Sequence, residues 1–288
     1  MRGSQPTPLA GSTVVITGAG SGMGRALAQR LSAYGCPVAA VDVGADALAQ
    51  TESLLSGPSL IRTLDVRDRQ GLLGLAADVA AWAPAPIGAV FNNAGVGMSA
   101  SVAGTPIEDH EWLMSINLDG VITGTRAFLP VLMRQGSGAI VNTSSVFGLA
   151  GIPFQSSYCA AKFAVRGFTD SLRHELRGTG VRAINVHPGG IKTGIARSAK
   201  IHEDPRGRGR TPAELAAEFD ALVQTTPERA AEVIHRGVDA GKARILIGAD
   251  AHLFDIVSRL APTHYYRVLE PLEQLASRAG ARRQAKTA

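Results

Sequence analysis

The sequence predicts a doubly wound α/β domain whose parallel sheet is covered by helices on both faces. Three observations carry this. Seven short runs rich in Val, Ile and Ala recur along the chain, and longer stretches with apolar residues at helical spacing separate them. The first run passes directly into a glycine-rich turn that opens a helix. Continuous apolar strands of this kind are buried on both faces, and repeated βα units place helices on either side of the sheet they build.

Residues 1–10 are polar, Pro-containing and aperiodic, and are expected to form a loose tail. STVVIT at 12–17 reads as the first buried strand and 23–34 as an amphipathic helix. PVAAVD at 37–42 is the second strand, with Pro37 tolerated at its first position. A helix follows over about 45–55. SLIRTLD at 59–65 is the third strand, and a helix then runs to about Trp82. IGAVFN at 87–92 is the fourth strand, followed by one long helical stretch over 108–134. GAIVNTSS at 138–145 is the fifth, with a helix over about 157–177. VRAINVH at 181–187 is the sixth. Helices near 212–223 and 227–240 precede the last strand, RILIG at 244–248. No internal repeat or Pro/Ser-rich linker divides the chain, so residues 11–260 read as one domain. Within it, 194–226 is polar and Arg-rich. Long segments after strand ends lie over the ligand crevice in such folds, so this one reads as a substrate lid. Residues 261–288 form a C-terminal extension, and its small, basic end from about Ala279 is expected to be disordered.

With 288 residues, 45% of them hydrophobic and 18% charged, the chain can bury a large core without disulfides or metals. No apolar run approaches the ~20 residues of a bilayer span, and no basic start leads into an apolar stretch. The two cysteines, Cys36 and Cys159, lack metal-ligand spacing, and the seven histidines include no H-x-x-x-H pair. No metal site is therefore expected, and a reducing, cytoplasmic setting is. The net charge of +5 raises nucleic acid as a partner. However, the basic runs Arg206/Arg208/Arg210 and Arg278/Arg282/Arg283/Lys286 carry no interleaved aromatics, and no nucleic-acid-binding motif is present.

The first strand ends in Thr17-Gly18-Ala19-Gly20-Ser21-Gly22-Met23-Gly24. Glycines here let the backbone turn sharply and approach a pyrophosphate, and the helix N-terminus favours the anion. The spacing is Gly18-x3-Gly22-x-Gly24, neither a strict G-x-G-x-x-G nor a P-loop. Its setting between strand and helix is what a dinucleotide site requires. Asp42 ends the second strand, where a carboxylate accepts hydrogen bonds from the adenosine ribose and repels a 2′-phosphate. No Arg or Lys lies within the turn or just after Asp42. NAD(H) is therefore expected over NADP(H).

Tyr158 and Lys162 are four apart in a helical stretch and so share one face. A nearby ammonium favours the phenolate, which suggests a general acid/base usable near neutral pH. Ser145 ends the fifth strand 13 residues before Tyr158, at the same sheet edge. Ser144 is its competitor. Asn117 sits mid-helix, where an amide is mildly unfavourable unless it holds a water or bends the helix.

Together these residues resemble the short-chain dehydrogenase/reductase family over nearly the whole chain, from about Ser12 to Gly248. The ordered set is TGAGSGMG at 17–24, Asp42, Asp65-Val66, NNAG at 92–95, Asn117, Ser145, Tyr158/Lys162 and HPGGIKT at 187–193. The resemblance implies a single Rossmann-type domain with seven parallel strands in the order 3-2-1-4-5-6-7. It implies Tyr158 as acid/base, Lys162 lowering its pKa and binding the nicotinamide ribose, Ser145 orienting the substrate oxygen, and Asn117 holding a relay water. Cofactor contacts are implied for Gly18, Ser21, Gly22, Met23, Gly24, Asp42, Tyr158 and Lys162. Asp65 and Val66 would lie at the adenine, and Asn92, Ala94 and Gly95 along the adenosine. Pro188, Gly189, Ile191 and Thr193 would hold the nicotinamide end.

The expected activity is NAD(H)-dependent interconversion of a secondary alcohol and a ketone. Val146, Phe147, Ile152, Pro153 and Phe154 suggest a hydrophobic substrate. The resemblance also implies a homotetramer or homodimer through the helices at 108–134 and 157–177. The rivals are a β-ketoacyl-type reductase using NADP(H), which Asp42 and the C-terminal extension disfavour, and a non-catalytic dinucleotide-binding regulator. A serine hydrolase is excluded by the lack of any G-x-S-x-G turn. Leu253, Phe254, Ile256, Val257 and Leu260 form an apolar helical face expected to pack on the chain's own domain.

Overall fold

A computed structural model describes residues 8–205, 207–268 and 270. Most of the N-terminal tail, Arg206 and the basic end of the extension therefore lie outside the described residues.

The seven main strands are β1 (Thr13–Thr17), β2 (Val38–Asp42), β3 (Ser59–Thr63), β4 (Ile87–Asn92), β6 (Gly138–Thr143), β7 (Val181–Pro188) and β9 (Arg244–Ile247). They form one sheet in the order β3-β2-β1-β4-β6-β7-β9, and every pairing is parallel. The predicted fold and strand order are thus observed. β1 is buried at every position, as a strand covered on both faces must be.

On one face α1 (Gly22–Ala33), α2 (Ala45–Glu52) and α8 (Pro227–Asp239) enclose Leu27, Leu31, Leu48 and Ile234 with Ile16 and Val186. On the other, α3 (Arg69–Trp82), α5 (Gly120–Gln135) and α6 (Ser156–Glu175) enclose Leu72, Val79, Phe128 and Leu172 with Val90 and Ile140. Each face buries a contiguous apolar cluster, which drives the layering.

The chain departs from the sequence expectation in two places. The stretch over 108–134 is not one regular helix. α4 (Ile107–Met114) runs into a π-helical segment, Ser115–Asp119, before α5 begins. A second, two-stranded parallel sheet joins β5 (Met98–Ser99) to β8 (Lys200–Ile201). β8 and α7 (Pro212–Leu222) give the predicted lid segment ordered elements. α7 starts at a capping box between Thr211 and Glu214. The apolar face in the C-terminal part lies on α9 (Ala249–Leu260); Phe254 and Val257 pack on the chain's own domain, whereas Leu253, Ile256 and Leu260 are exposed, so the face is covered only in part.

Candidate active site

The carboxyl ends of β1, β2, β4, β6 and β7 gather the chemistry-bearing residues at one edge of the sheet. Gly18 and Gly22 both have positive φ, +69° and +50°. A Cβ on Gly18 would stand 2.8 Å from the Ala94 Cα, so only glycine lets the turn lie this close to the segment after β4. That segment is stitched to the turn: Thr17 Oγ1 accepts from the amides of Asn93 and Ala94 at 3.0 and 3.1 Å. The N-terminus of α1 has no acidic residue in its first turn, so its positive end is left to an anion. Ser21 stands at the N-cap position without a side-chain capping bond, Gly24 is buried in the first turn, and Met23 packs against the core.

Asp42 accepts from the Gly20 amide at 2.9 Å and the Gly44 amide at 3.0 Å, which aims its carboxylate at the turn. Arg25, immediately after the turn, reaches the same place. Its guanidinium donates to the Gly20 carbonyl, and to Ala47 O and Gln50 Oε1 at 3.2 Å each. A cation therefore reaches the turn at Gly20 although the turn itself holds none, and its other bonds engage it with α2. Asp65 accepts three bonds from Arg67, which hold its carboxyl below the usual range, so an adenine contact must compete with that pair. Val66 packs on Gly120, at the start of α5.

The Asn92 side chain is turned into the core. Its amide donates to Asn142 Oδ1 at 2.8 Å and to Thr125 Oγ1 at 3.2 Å. A contact between Asn92 and the cofactor would fall to its backbone. Asn117 is fully buried in the π-helical segment, and its side chain binds both backbone groups of Val96, at 2.8 and 2.9 Å. Of the two uses foreseen for a mid-helix amide, the helix distortion is observed. A Cβ on Gly95 would stand 3.1 Å from Asn117 Oδ1 and 3.5 Å from Lys162 Nζ, so this glycine keeps the crevice floor open beside both.

Tyr158, Lys162 and Ser145 come together. The Ser145 side chain lies close enough to the Tyr158 phenol to draw its pKa down, and the Ser145 hydroxyl accepts from the Phe147 amide at 3.1 Å. Lys162 Nζ lies over the Tyr158 ring, 5.6 Å from its centroid, and donates to the Thr143 carbonyl at 3.0 Å. Ser144 faces away from the site, its hydroxyl donating to the Lys162 carbonyl. The expected phenol-lowering effect of the ammonium is not what dominates here. Burial pushes Tyr158 up to about 12 despite the opposing influence of Ser145, and burial draws Lys162 down to about 8.

At the end of β7, the Pro188–Thr193 loop crosses to the glycine-rich turn, where a Cβ on Gly22 would stand 3.1 Å from the Thr193 side chain. Ile191 is buried and bridges Thr225, and the Gly189 amide donates to the Ile247 carbonyl at 2.9 Å.

Three neighbours of the site were given no role by the sequence, although one, His187, opens the HPGGIKT motif. His187 is fully buried, with Nδ1 3.0 Å from the Ser145 carbonyl. Asp250 Oδ2 accepts from the Gly190 amide at 2.6 Å. Tyr265 clasps Gly151 by both its N–H and its carbonyl. Each contact spans 42 residues or more, beyond the reach of local periodicity.

The apolar wall is only partly open to the crevice. Phe147 meets Tyr158 edge-on at 6.2 Å, whereas Val146 and Ile152 pack into a cluster with Phe254 and Val257. The segment read as a lid is fastened to α4: Lys200 and His202 both pair with Asp109, at 2.5 and 2.7 Å.

Comparison with known proteins agrees with this arrangement. The family model for short chain dehydrogenase matches residues 12–204. The chain is 41% identical over 265 residues to SadH of Mycobacterium tuberculosis, a protein named as an oxidoreductase, covering 90% of this chain and 94% of that one. It is 34% identical over 238 residues to levodione reductase of Leifsonia aquatica, covering 78% and 84%. Among solved structures, a short chain dehydrogenase/reductase from Burkholderia phymatum in complex with NAD superposes with a TM-score of 0.78 at 28% identity, covering 92% of this chain and 96% of that one.

Proposed function

The chain belongs to the short-chain dehydrogenase/reductase family and is an oxidoreductase, and from that premise we propose that it interconverts a secondary alcohol and a ketone on an apolar small molecule, using NAD(H). The observation that carries this reading is the buried Lys162 ammonium, 5.6 Å from the centroid of the Tyr158 ring, with Ser145 beside the phenol. The residues fit a dinucleotide: glycines clear the turn against Ala94, α1 offers an uncompensated N-terminus, and Asp42 stands where a ribose diol needs an acceptor.

When bound, the nicotinamide supplies the hydride chemistry. Tyr158 moves the proton of the substrate oxygen, and Ser145 hydrogen-bonds that oxygen. With its pKa pushed up to about 12, Tyr158 rests protonated at neutral pH, which suits it to donate to a carbonyl oxygen. Lys162 holds the nicotinamide ribose, and the Pro188–Thr193 loop holds the nicotinamide end. The backbone freed by the π-helical turn at Asn117 serves a relay water. Residues 194–226 cover the substrate, and Phe147 contributes an apolar wall.

The Asp42 carboxylate supports NAD(H) over NADP(H), because a 2′-phosphate would face a fixed negative charge. A homotetramer or homodimer through α5 and α6 is supported by the exposed side chains of Met133 and Phe163 on those helices. Two buried thiols, Cys36 and Cys159, support a reducing cytoplasmic setting. The test is a titration of the purified chain with NADH and NADPH, followed by turnover of a panel of secondary alcohols and ketones by the wild type and Tyr158→Phe. The reading requires tighter NADH binding and turnover that the substitution nearly abolishes. Preference for NADPH overturns the cofactor assignment, and full activity in Tyr158→Phe overturns the acid/base assignment.

A further inference from the structure

We propose that Asp250 is a positioning residue for the nicotinamide-end loop: its carboxylate, wedged between Gly189 and Gly248 and bonded to the Gly190 amide, holds Gly189–Gly190 in the conformation a dinucleotide meets. The inference rests on the cofactor reading above for its ligand.

Asp250 lies in the first turn of α9, just after the last strand of the sheet. Its Oδ2 accepts from the Gly190 amide at 2.6 Å, and its Oδ1 accepts from the Ala251 amide at 3.0 Å. A Cβ on Gly189 or Gly248 would overlap the carboxylate, and a Cβ on Gly190 would stand 3.7 Å from Oδ2. Gly248 also has φ +97°, a conformation that L side chains avoid. An acidic residue in a first helical turn is ordinarily explained by the helix dipole. That explanation requires no glycines facing it and no hydrogen bond to a loop 60 residues away. Here two positions, Gly189 and Gly248, lack side chains where the carboxylate sits.

The loop is gripped from its other side as well. The Lys192 amide donates to the Thr225 carbonyl at 2.9 Å, and a Cβ on Gly190 would overlap Val223. A glycine pair loses more backbone entropy on ordering than any other dipeptide. If the ligand had to supply that ordering, affinity would fall. A side chain that orders the pair beforehand removes this cost from binding.

The experiment measures NADH affinity of the full chain by calorimetry, and exchange of the Gly190 amide by NMR, for the wild type and for Asp250→Ala, Asp250→Asn and Asp250→Glu. Alanine is expected to weaken NADH about 10-fold, the loss typical of a hydrogen bond to a charged group. Exchange at Gly190 accelerates with it, and kcat at saturating cofactor changes far less than the cofactor KM. Asparagine keeps one acceptor for Gly190 and recovers most of the affinity. Glutamate keeps the charge but adds a methylene in a space walled by glycines, and does not recover it. Wild-type affinity and exchange in Asp250→Ala overturn the proposal, as does rescue by glutamate but not asparagine, which would mark a charge effect. If Asp250→Ala does not fold, the asparagine–glutamate contrast decides alone. If the wild type binds neither NADH nor NADPH, the cofactor reading fails instead, and Gly190 exchange still tests the clamp.

Discussion

The Ser144 hydroxyl donates to the Lys162 carbonyl at 2.8 Å, tying the end of β6 to the middle of α6. Gly148 makes the approach possible, because a Cβ there would overlap the Ser144 hydroxyl and stand 2.6 Å from the Lys162 carbonyl oxygen. Two adjacent serines thus divide the work: Ser144 sets the height of the helix that carries Tyr158 and Lys162, and Ser145 faces the phenol.

The two serines are therefore expected to separate on substitution. Ser145→Ala should lower kcat by two orders of magnitude or more while leaving NADH affinity intact, as loss of a proton-positioning group does. Ser144→Ala should cost about 1 kcal/mol of stability with a smaller loss of kcat. Steady-state kinetics and urea unfolding of both variants check this. A larger kinetic loss in Ser144→Ala would reverse the assignment.

Lys162 sets a pH dependence of stability. It is 3% exposed, and burial lowers its pKa from 10.5 to about 8. Between those values the unfolded chain binds one proton more than the folded chain, so stability rises with pH across this window. Below pH 8 the folded state carries the full penalty, of the order of 3 kcal/mol by the size of the shift. Lys162→Met should lose activity and also lose this rise. Thermal unfolding at intervals from pH 7.5 to 10 measures it, and a methionine variant that keeps the wild-type slope would show that another group is responsible.

His187 acts in the acid range. It is fully buried, its Nε2 has no hydrogen-bond partner among the described residues, and burial pulls its pKa from 6.5 to about 4. Nδ1 contacts the Ser145 carbonyl, which fixes the neutral tautomer with the proton on Nδ1. From pH 6.5 down to 4 the unfolded chain takes up a proton that the folded chain refuses. Stability falls on acidification by up to about 3 kcal/mol. In His187→Asn, which can still donate to Ser145, the slope between pH 4 and 6.5 should flatten while activity at pH 7.5 persists. Calorimetry across that range, with kinetics at pH 7.5, separates the two readouts.

These groups also show where the sequence is informative. The central strands were legible because they are apolar runs, β1 being buried at all five positions, whereas the edge strand β3, SLIRT, is partly exposed. The site residues at strand ends were legible because a parallel sheet brings those ends to one edge. The π-helical turn was not, since its cause is the pairing of Asn117 with the Val96 backbone, 21 residues distant. The direction of the Tyr158 shift was missed for a related reason. Helical spacing gives the position of Lys162, whereas the outcome depends on burial, which neighbours far along the chain decide. Arg25 lies one residue past the glycine-rich turn, and only tertiary packing carries its guanidinium back to Gly20.

The C-terminal extension gives the last prediction. The Tyr265 hydroxyl donates to the Gly151 carbonyl at 2.8 Å and accepts from the Gly151 amide at 3.0 Å, so a single side chain satisfies both backbone groups of one loop residue. At the other end of that loop Phe154 has φ +61°, an uncommon conformation for a bulky residue, and its carbonyl accepts from the Ala100 amide at 3.0 Å. The loop from Gly151 to Phe154 is thus pinned at both ends, and it follows directly on Ser145 and Phe147. Tyr265→Phe removes the hydroxyl but keeps the ring in the cluster with Val146, Ala150 and Phe254. The expected result is a stability loss of about 1–2 kcal/mol, faster exchange of the Gly151 amide, and a raised KM for bulky apolar ketones with NADH affinity unchanged. Kinetics with a short and a long aliphatic ketone make the comparison: the penalty should be larger for the long one, because its chain reaches the loosened wall. An equal effect on both would assign Tyr265 to general packing, since only a contact that shapes the wall discriminates by length.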